Sequence, residues 1–233
     1  MYKLLIDALF PPRCSICNSH ITEVDEFESV CDSCFSSIQA KTGFSCSECQ
    51  KRIPTLSSMC HKKNYLLMSA CDFHDAKIQK LIYDYKYHSI RSLSVPLTRI
   101  LLSTLTSILS ELPFSLEDAF IIPIPLSKTR MRERGFNQSE DITNEIIKYI
   151  PELKSKNNIL KRITSGPQQA KTHSAQERII ATKNTFVAER NDERSNIILV
   201  DDVFTTGATA EDAIRALKKV GYKRILVATI AKT

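Results

Sequence analysis

The sequence predicts an α/β protein, with a mostly parallel sheet covered by helices on both faces and a small cysteine-rich, metal-nucleated segment in front of it. Two observations carry that expectation. Beyond about residue 65, short apolar runs alternate with segments of helical period, and seven of the eight cysteines fall within the first sixty residues. At 233 residues the chain is long enough for one ordinary domain and a small appendage, so the boundaries expected are 1–64 and 65–233.

In the first part, short segments lie between cysteine pairs with little periodicity, as in a unit with too few apolar residues for its own core. After it, Ile78, Leu81, Ile82 and Tyr85 recur at helical spacing, and residues 93–111 form a second helix with Pro96 in its first turn. An apolar run at 119–124 and a helix at 138–150, with Ile142, Ile146 and Ile147 on one face, come next. A strand at 197–200, a helix at 210–220 ended by Gly221, and a last strand at 224–230 complete the alternation. In open sheets of this kind ligands sit beyond the carboxyl ends of the strands.

The apolar opening, residues 4–10, is broken by Asp7 and closed by Pro11 and Pro12, so no signal peptide is expected. The stretch 100–112 carries five Ser or Thr residues and reads as an amphipathic helix, not a membrane span. The expected location is cytoplasmic, where paired cysteines hold metal more often than they form disulfides. The net charge of +6 is concentrated in residues 61–100 and 151–195, each locally +4, which attracts phosphate without identifying its bearer.

The most informative segment is Asn196-Ile-Ile-Leu-Val-Asp-Asp-Val-Phe-Thr-Thr-Gly-Ala-Thr-Ala210. Four consecutive branched residues make a buried strand, and Asp201 and Asp202 stand where it emerges. Thr205, Thr206, Gly207, Ala208 and Thr209 then lead into a helix, whose free N–H groups and dipole favour an anion. Gly207 permits close backbone approach, and the three threonine hydroxyls can donate to phosphate oxygens. A loop made only for phosphate would not carry two acids beside it. Ribose hydroxyls, or a divalent cation held with them, supply the acids with a partner. A plain strand-turn-helix explains the threonines and the glycine but leaves the Asp pair without a reason.

The segment resembles the phosphoribosyl pyrophosphate (PRPP) signature of type I phosphoribosyltransferases. A second strand ends at Pro123-Ile-Pro-Leu126, and a basic loop follows with Lys128, Arg130, Arg132 and Arg134 within seven residues. If the two strands share a sheet, both loops open on one edge, where pyrophosphate would need fixed cations; the alternative is an exposed basic turn before a helix capped by Asn137 and Glu140. Pro-x-Pro-Leu, the basic loop and Arg134-Gly-Phe-Asn-Gln138 resemble the ComF family, phosphoribosyltransferase-like proteins linked to DNA uptake in competent bacteria. The likeness extends to the cysteine pairs, residues 81–87, Glu177 and Arg178 with Phe186, and residues 200–209.

That resemblance implies a double zinc ribbon before a type I phosphoribosyltransferase fold, structural Zn2+, Mg2+ with PRPP, and the basic loop (Lys128, Arg130, Arg134) at the pyrophosphate position. It implies as partners PRPP or another ribose phosphate, and single-stranded DNA with competence or recombination proteins during natural transformation, with no membrane insertion. If the chain turns over it is a Mg-dependent phosphoribosyltransferase; no catalytic residue or acceptor is identified, and nucleotide or base salvage is the alternative role. The stretch 168–174 departs from the family's pattern, and Ala181 stands where an asparagine is expected. That stretch should form a hood over the ligand, with Lys171 and His173 as contacts or as plain surface residues.

Cys14-x-x-Cys17 and Cys31-x-x-Cys34, thirteen residues apart, have the spacing of a four-thiolate zinc ribbon. Cys46, Cys49 and Cys60 begin a second set whose last position is Lys63. His61 offers a fourth ligand, although adjacent residues seldom chelate one ion, which leaves the second site weak, rearranged or empty. Redox catalysis would want one such pair at a helix start, not several in series. With no tryptophan, stacking on nucleobases would fall to Tyr65, Tyr83, Tyr85, Tyr87 or Phe136.

Overall fold

A computed structural model describes residues 11–22, 26–61, 64–163, 185–190 and 194–233. The expected hood, with Lys171, His173, Glu177, Arg178 and Ala181, lies outside the described residues, as does the apolar opening.

In the cysteine-rich part a short helix α1 (Asp32–Ser36) is followed by a two-residue hairpin pair, β1 (Phe44–Ser45) and β2 (Arg52–Ile53). Strand β3 (Leu66–Asp72) leads to α2 (Ala76–Tyr87) and α3 (Ser94–Ser107). Asp75 caps α2 by accepting from the N–H groups of Lys77 and Ile78. Helix α3 ends earlier than the apolar pattern predicted, and its last apolar residues continue as a 3-10 turn at Leu109–Glu111. Then come β4 (Ala119–Pro123), α4 (Lys128–Arg134), α5 (Gln138–Tyr149) and β5 (Lys154–Ser155). The chain closes with the antiparallel pair β6 (Leu160–Arg162) and β7 (Phe186–Ala188), then β8 (Asn196–Phe204), α6 (Ala208–Lys219) and β9 (Arg224–Lys232).

The sheet order is β2-β1-β3-β9-β8-β4-β5, with all pairings from β3 to β5 parallel. Successive residues of β8 serve opposite layers, as the period of two requires. Ile198 and Val200 pack with Leu81, Tyr85, Leu101 and Ile142 from α2, α3 and α5. Ile197 and Leu199 pack with Ala213, Ile214 and Leu217 of α6 and with Phe186. Helices therefore cover both faces, which accounts for the uninterrupted Ile-Ile-Leu-Val run.

The cysteine-rich part shares a sheet and a core with the rest of the chain. Ser45 of β1 pairs antiparallel with Leu67 of β3, and Phe44 and Cys46 are buried in the same core as α2 and α3. The sheet thus runs continuously across residue 64. Among the described residues no helix is long and apolar enough to cross a membrane.

Candidate functional site

Strand β8 extends four residues beyond its expected end, because β9 continues alongside it: Asp201 is in register with Thr229 and Val203 with Ala231. The two acids are therefore fixed within the ladder near its carboxyl end, and not on a loose turn. Ser139, at the start of α5, donates its hydroxyl to Asp201 Oδ1 at 3.3 Å, and the N–H of Asp202 donates to the same oxygen at 2.9 Å. Burial, and then the charge of Asp202, push the Asp201 carboxyl up to about 7, against the pull of Lys86. Asp202 is buried and accepts from Lys86 Nζ at 2.7 Å.

After Phe204 the chain bends through Thr205, Thr206 and Gly207, and α6 starts at Ala208, two residues before the helix expected from sequence. Gly207 has φ +79, and a Cβ there would lie 2.6 Å from the Phe204 ring, so the turn admits only glycine without rearrangement. Thr205 and Thr206 are exposed, and the bend opens to solvent with the first-turn N–H groups of α6 behind it. Thr206 Oγ1 accepts from the Ala208 N–H at 3.4 Å. Thr209 lies half-buried in that first turn.

The basic segment opens on the same edge. Pro123 of β4 is in register with Val200 of β8, so the chain leaves both strands in the same direction. The expected loop is a seven-residue helix, α4, capped by Ser127, which accepts from the Arg130 N–H, and ended by Gly135 at φ +76. Lys128 and Arg130 are exposed. Arg134 donates to Gln138 Oε1 at 2.9 Å and lies 5.5 Å over the Tyr87 ring. Asn137 caps α5 by accepting from the Ser139 N–H and donates to Ile124 O at 3.1 Å. Phe136 is buried between Tyr85 and Arg91. The run Arg134 to Gln138 is thus a junction that sets α4 against the acids, with Ser139 as the link.

Three residues at this edge were given no role from sequence. Ser139 and Lys86 hold the acids. Arg162, on β6, lies 5.1 Å over the Phe186 ring, and its Nε has no hydrogen-bond partner among the described residues. Burial, and then the like charge of Arg130, lower its basicity, a combination that an anion would relieve. A signal for Lys86 was present: it lies four residues after Ile82 and one after Tyr85, which places it beside the buried stripe of α2 and not opposite it.

The two cysteine clusters have the same turn. Asn18, after Cys17, has φ +63 and its N–H bonds Cys14 O; Gln50, after Cys49, has φ +61 and its N–H bonds Cys46 O. Cys14 gathers with Cys17, Cys31 and Cys34, and Cys46 with Cys49, Cys60 and His61, each set with its ligand atoms within 4.8 Å of one another. Cys17 and Cys31 sulfurs are 3.8 Å apart, Cys49 and Cys60 sulfurs 3.4 Å, and Cys46 Sγ is 3.4 Å from His61 Nδ1. Tetrahedral zinc with Zn–S bonds of about 2.3 Å needs sulfurs about 3.8 Å apart, so both donor sets fit it. His61 joins the second set despite its adjacency to Cys60. In each cluster one thiol is acidified: the Ser19 hydrogen bonds lower Cys17 to about 6, and at Cys46 the N–H groups of Cys49 and Glu48 outweigh burial and bring it to about 6.

Residues 89–233 match the model of the phosphoribosyl transferase domain, and the chain belongs to that family. Residues 5–65 match a double zinc ribbon domain, in keeping with two clusters suited to structural zinc. The chain is 27% identical over 222 residues to Competence protein F of Haemophilus influenzae, covering 94% of this chain and 90% of that one. It is 29% identical over 209 residues to Competence protein ComFC of Bacillus subtilis, covering 83% and 80%, and 23% identical over 220 residues to DNA utilization protein YhgH of Escherichia coli, covering 94% and 90%. The ribbon followed by the transferase domain, with these relatives, is the ComF arrangement that the sequence motifs resembled.

Proposed function

We propose that this chain binds PRPP, or another ribose phosphate, at the bend between β8 and α6. The observation that carries the reading is the adjacency of two kinds of group at one sheet edge: fixed carboxylates on Asp201 and Asp202, and an open bend of hydroxyls and N–H groups from Thr205 to Thr209. In this reading the 5-phosphate takes the bend, where N–H groups and the α6 dipole favour negative charge. Asp201 and Asp202 accept from the 2- and 3-hydroxyls and orient a magnesium ion, which supplies charge neutralisation when bound. Lys128, Arg130 and Arg134 receive the pyrophosphate, and the enclosed guanidinium of Arg162 adds a fourth cation on that side.

Calorimetric titration of PRPP, with and without magnesium, into wild type and Asp201→Asn/Asp202→Asn tests the site. Affinity is expected to fall at least ten-fold in the double variant, and equal affinity in the two proteins would remove the assignment. Pyrophosphate release across a panel of bases decides whether the bound PRPP is also turned over.

A second reading, handling of single-stranded DNA in natural transformation, is favoured by the surface of α2. Of the five candidate stacking residues, Tyr65, Tyr85 and Phe136 are buried, whereas Tyr83 and Tyr87 are 53% and 61% exposed. Their rings lie 4.9 Å apart, with Arg134 over Tyr87 and the exposed cations of α4 following in the chain. Exposed aromatic rings beside cations are a sequence-tolerant platform on which bases stack, with each base worth about 1–3 kcal/mol. Tyr83→Ala/Tyr87→Ala is expected to weaken binding of a labelled oligonucleotide by ten-fold or more while leaving an abasic strand of equal length unaffected. Equal losses on both strands would count against stacking.

A further inference from the structure

One residue of the second metal knuckle reaches the phosphate-accepting bend. Gln50 Nε2 donates to the backbone carbonyl of Thr205 at 3.3 Å, across a sequence separation of 155 residues. The Gln50 carbonyl in turn accepts from Lys232 Nζ, at the end of β9, where Lys232 is in register with Phe204. Gln50 therefore bonds the first residue of the bend and also the β9 residue paired with Phe204, the residue that precedes the bend.

The backbone at Gln50 makes this contact unusual. A left-handed conformation suits Gly or Asn, and the equivalent turn in the first cluster has Asn18 at φ +63. Gln50 takes the same conformation at φ +61 with a less suitable side chain. What glutamine adds over asparagine at that position is one methylene of reach, and the reach is what brings its amide to Thr205. The turn is closed by the Gln50 N–H on Cys46 O and by the Glu48 N–H 3.4 Å from Cys46 Sγ, so a metal ion on Cys46, Cys49, Cys60 and His61 would fix the arm that carries the amide.

We propose that the second metal cluster, acting through Gln50, positions the Thr205–Thr206–Gly207 bend, so that metal occupancy in the ribbon sets the affinity of the ribose-phosphate site. The inference rests on the ribose-phosphate reading for its effect on binding, but not for the contact itself. Gln50 is a positioning residue, touching the bend and not the ligand.

The test uses full-length zinc-loaded protein. Gln50→Asn keeps a left-handed turn and the metal ligands but withdraws the amide, and Gln50→Met keeps the reach without a donor. Both are expected to retain the zinc content of wild type and a thermal midpoint within about 6 °C of it, to shift the 15N–1H amide resonances of Thr205, Thr206 and Gly207, and to weaken PRPP about three- to ten-fold, the effect of one lost hydrogen bond. Cys60→Ser, which empties the second site, is expected to move the same resonances. If the bend resonances stay in place in Gln50→Asn and Gln50→Met, the coupling is refuted whether or not PRPP binds. If they move and wild type binds no PRPP, the coupling stands and the ribose-phosphate reading fails. Moved resonances with unchanged PRPP affinity would overturn the claim that the contact governs binding.

Discussion

At Asp201 burial and the charge of Asp202 oppose ionisation, while Lys86 and two hydrogen bonds favour it. Its carboxyl, raised to about 7 from an unfolded value of 3.8, keeps a proton in the folded chain that the unfolded chain has already released. The fold therefore carries no penalty from it below about pH 4, loses stability as pH rises from there to 7, and bears the full penalty above. Asp201→Asn removes that penalty: its thermal midpoint should exceed that of wild type by several degrees at pH 8, with the gap closing toward pH 4, while ribose-phosphate binding falls. An unchanged midpoint at pH 8 would show that the carboxyl is not destabilising. Gly207→Ala makes the opposite trade. The left-handed backbone costs an L-residue about 1–2 kcal/mol, and the Phe204 ring must also move, so a drop of roughly 2–8 °C is expected by thermal melting. The acids and the glycine were readable in the sequence as types in a pattern. Lys86 showed only its place beside the buried stripe of α2 and Ser139 showed no signal, because their roles depend on which helix ends meet β8, a matter of tertiary placement.

At the scale of elements, α4 and β8 changed most between expectation and structure. The basic segment reads as a loop because it follows Pro125 and contains no apolar period, yet Ser127 at one end and Gly135 at the other supply a cap and a stop for two turns of helix. Its exposed cations should discriminate between ligands. Lys128→Ala/Arg130→Ala is expected to weaken PRPP about ten-fold or more, the scale of a lost charge-assisted contact, and to leave ribose 5-phosphate nearly unchanged when both are titrated side by side. Equal losses for the two ligands would place those side chains elsewhere than at the pyrophosphate. Strand β8 outran its apolar run because the parallel ladder with β9 carries Asp201 to Phe204 along with it. Apolar periodicity marks the buried stretch of a strand, whereas its length is set by the neighbour.

For the whole molecule, the alternation of strands and helices gave the layered sheet, and the cysteine spacing gave the first metal cluster. What the sequence left open was the second cluster and its attachment. Lys63 stands where a closing cysteine would, and only the folded chain brings His61 to Cys46. Nor did the patterns show that β1 pairs with β3, joining the ribbon to the transferase sheet through a single ladder and a common core. Because that core is shared, removal of metal with a chelator should lower the melting temperature of the entire chain in one transition, followed by circular dichroism. Two transitions, with the second at the original temperature, would mean that the parts fold independently.

The central claim is a matter of position, and a crystal structure of the protein soaked or grown with PRPP and magnesium addresses it most directly. The account predicts the 5-phosphate within about 3 Å of the N–H groups and hydroxyls between Thr205 and Thr209, with the ribose hydroxyls turned to Asp201 and Asp202. Density for the ligand anywhere else, or the phosphate on the α4 cations with the bend vacant, would contradict it.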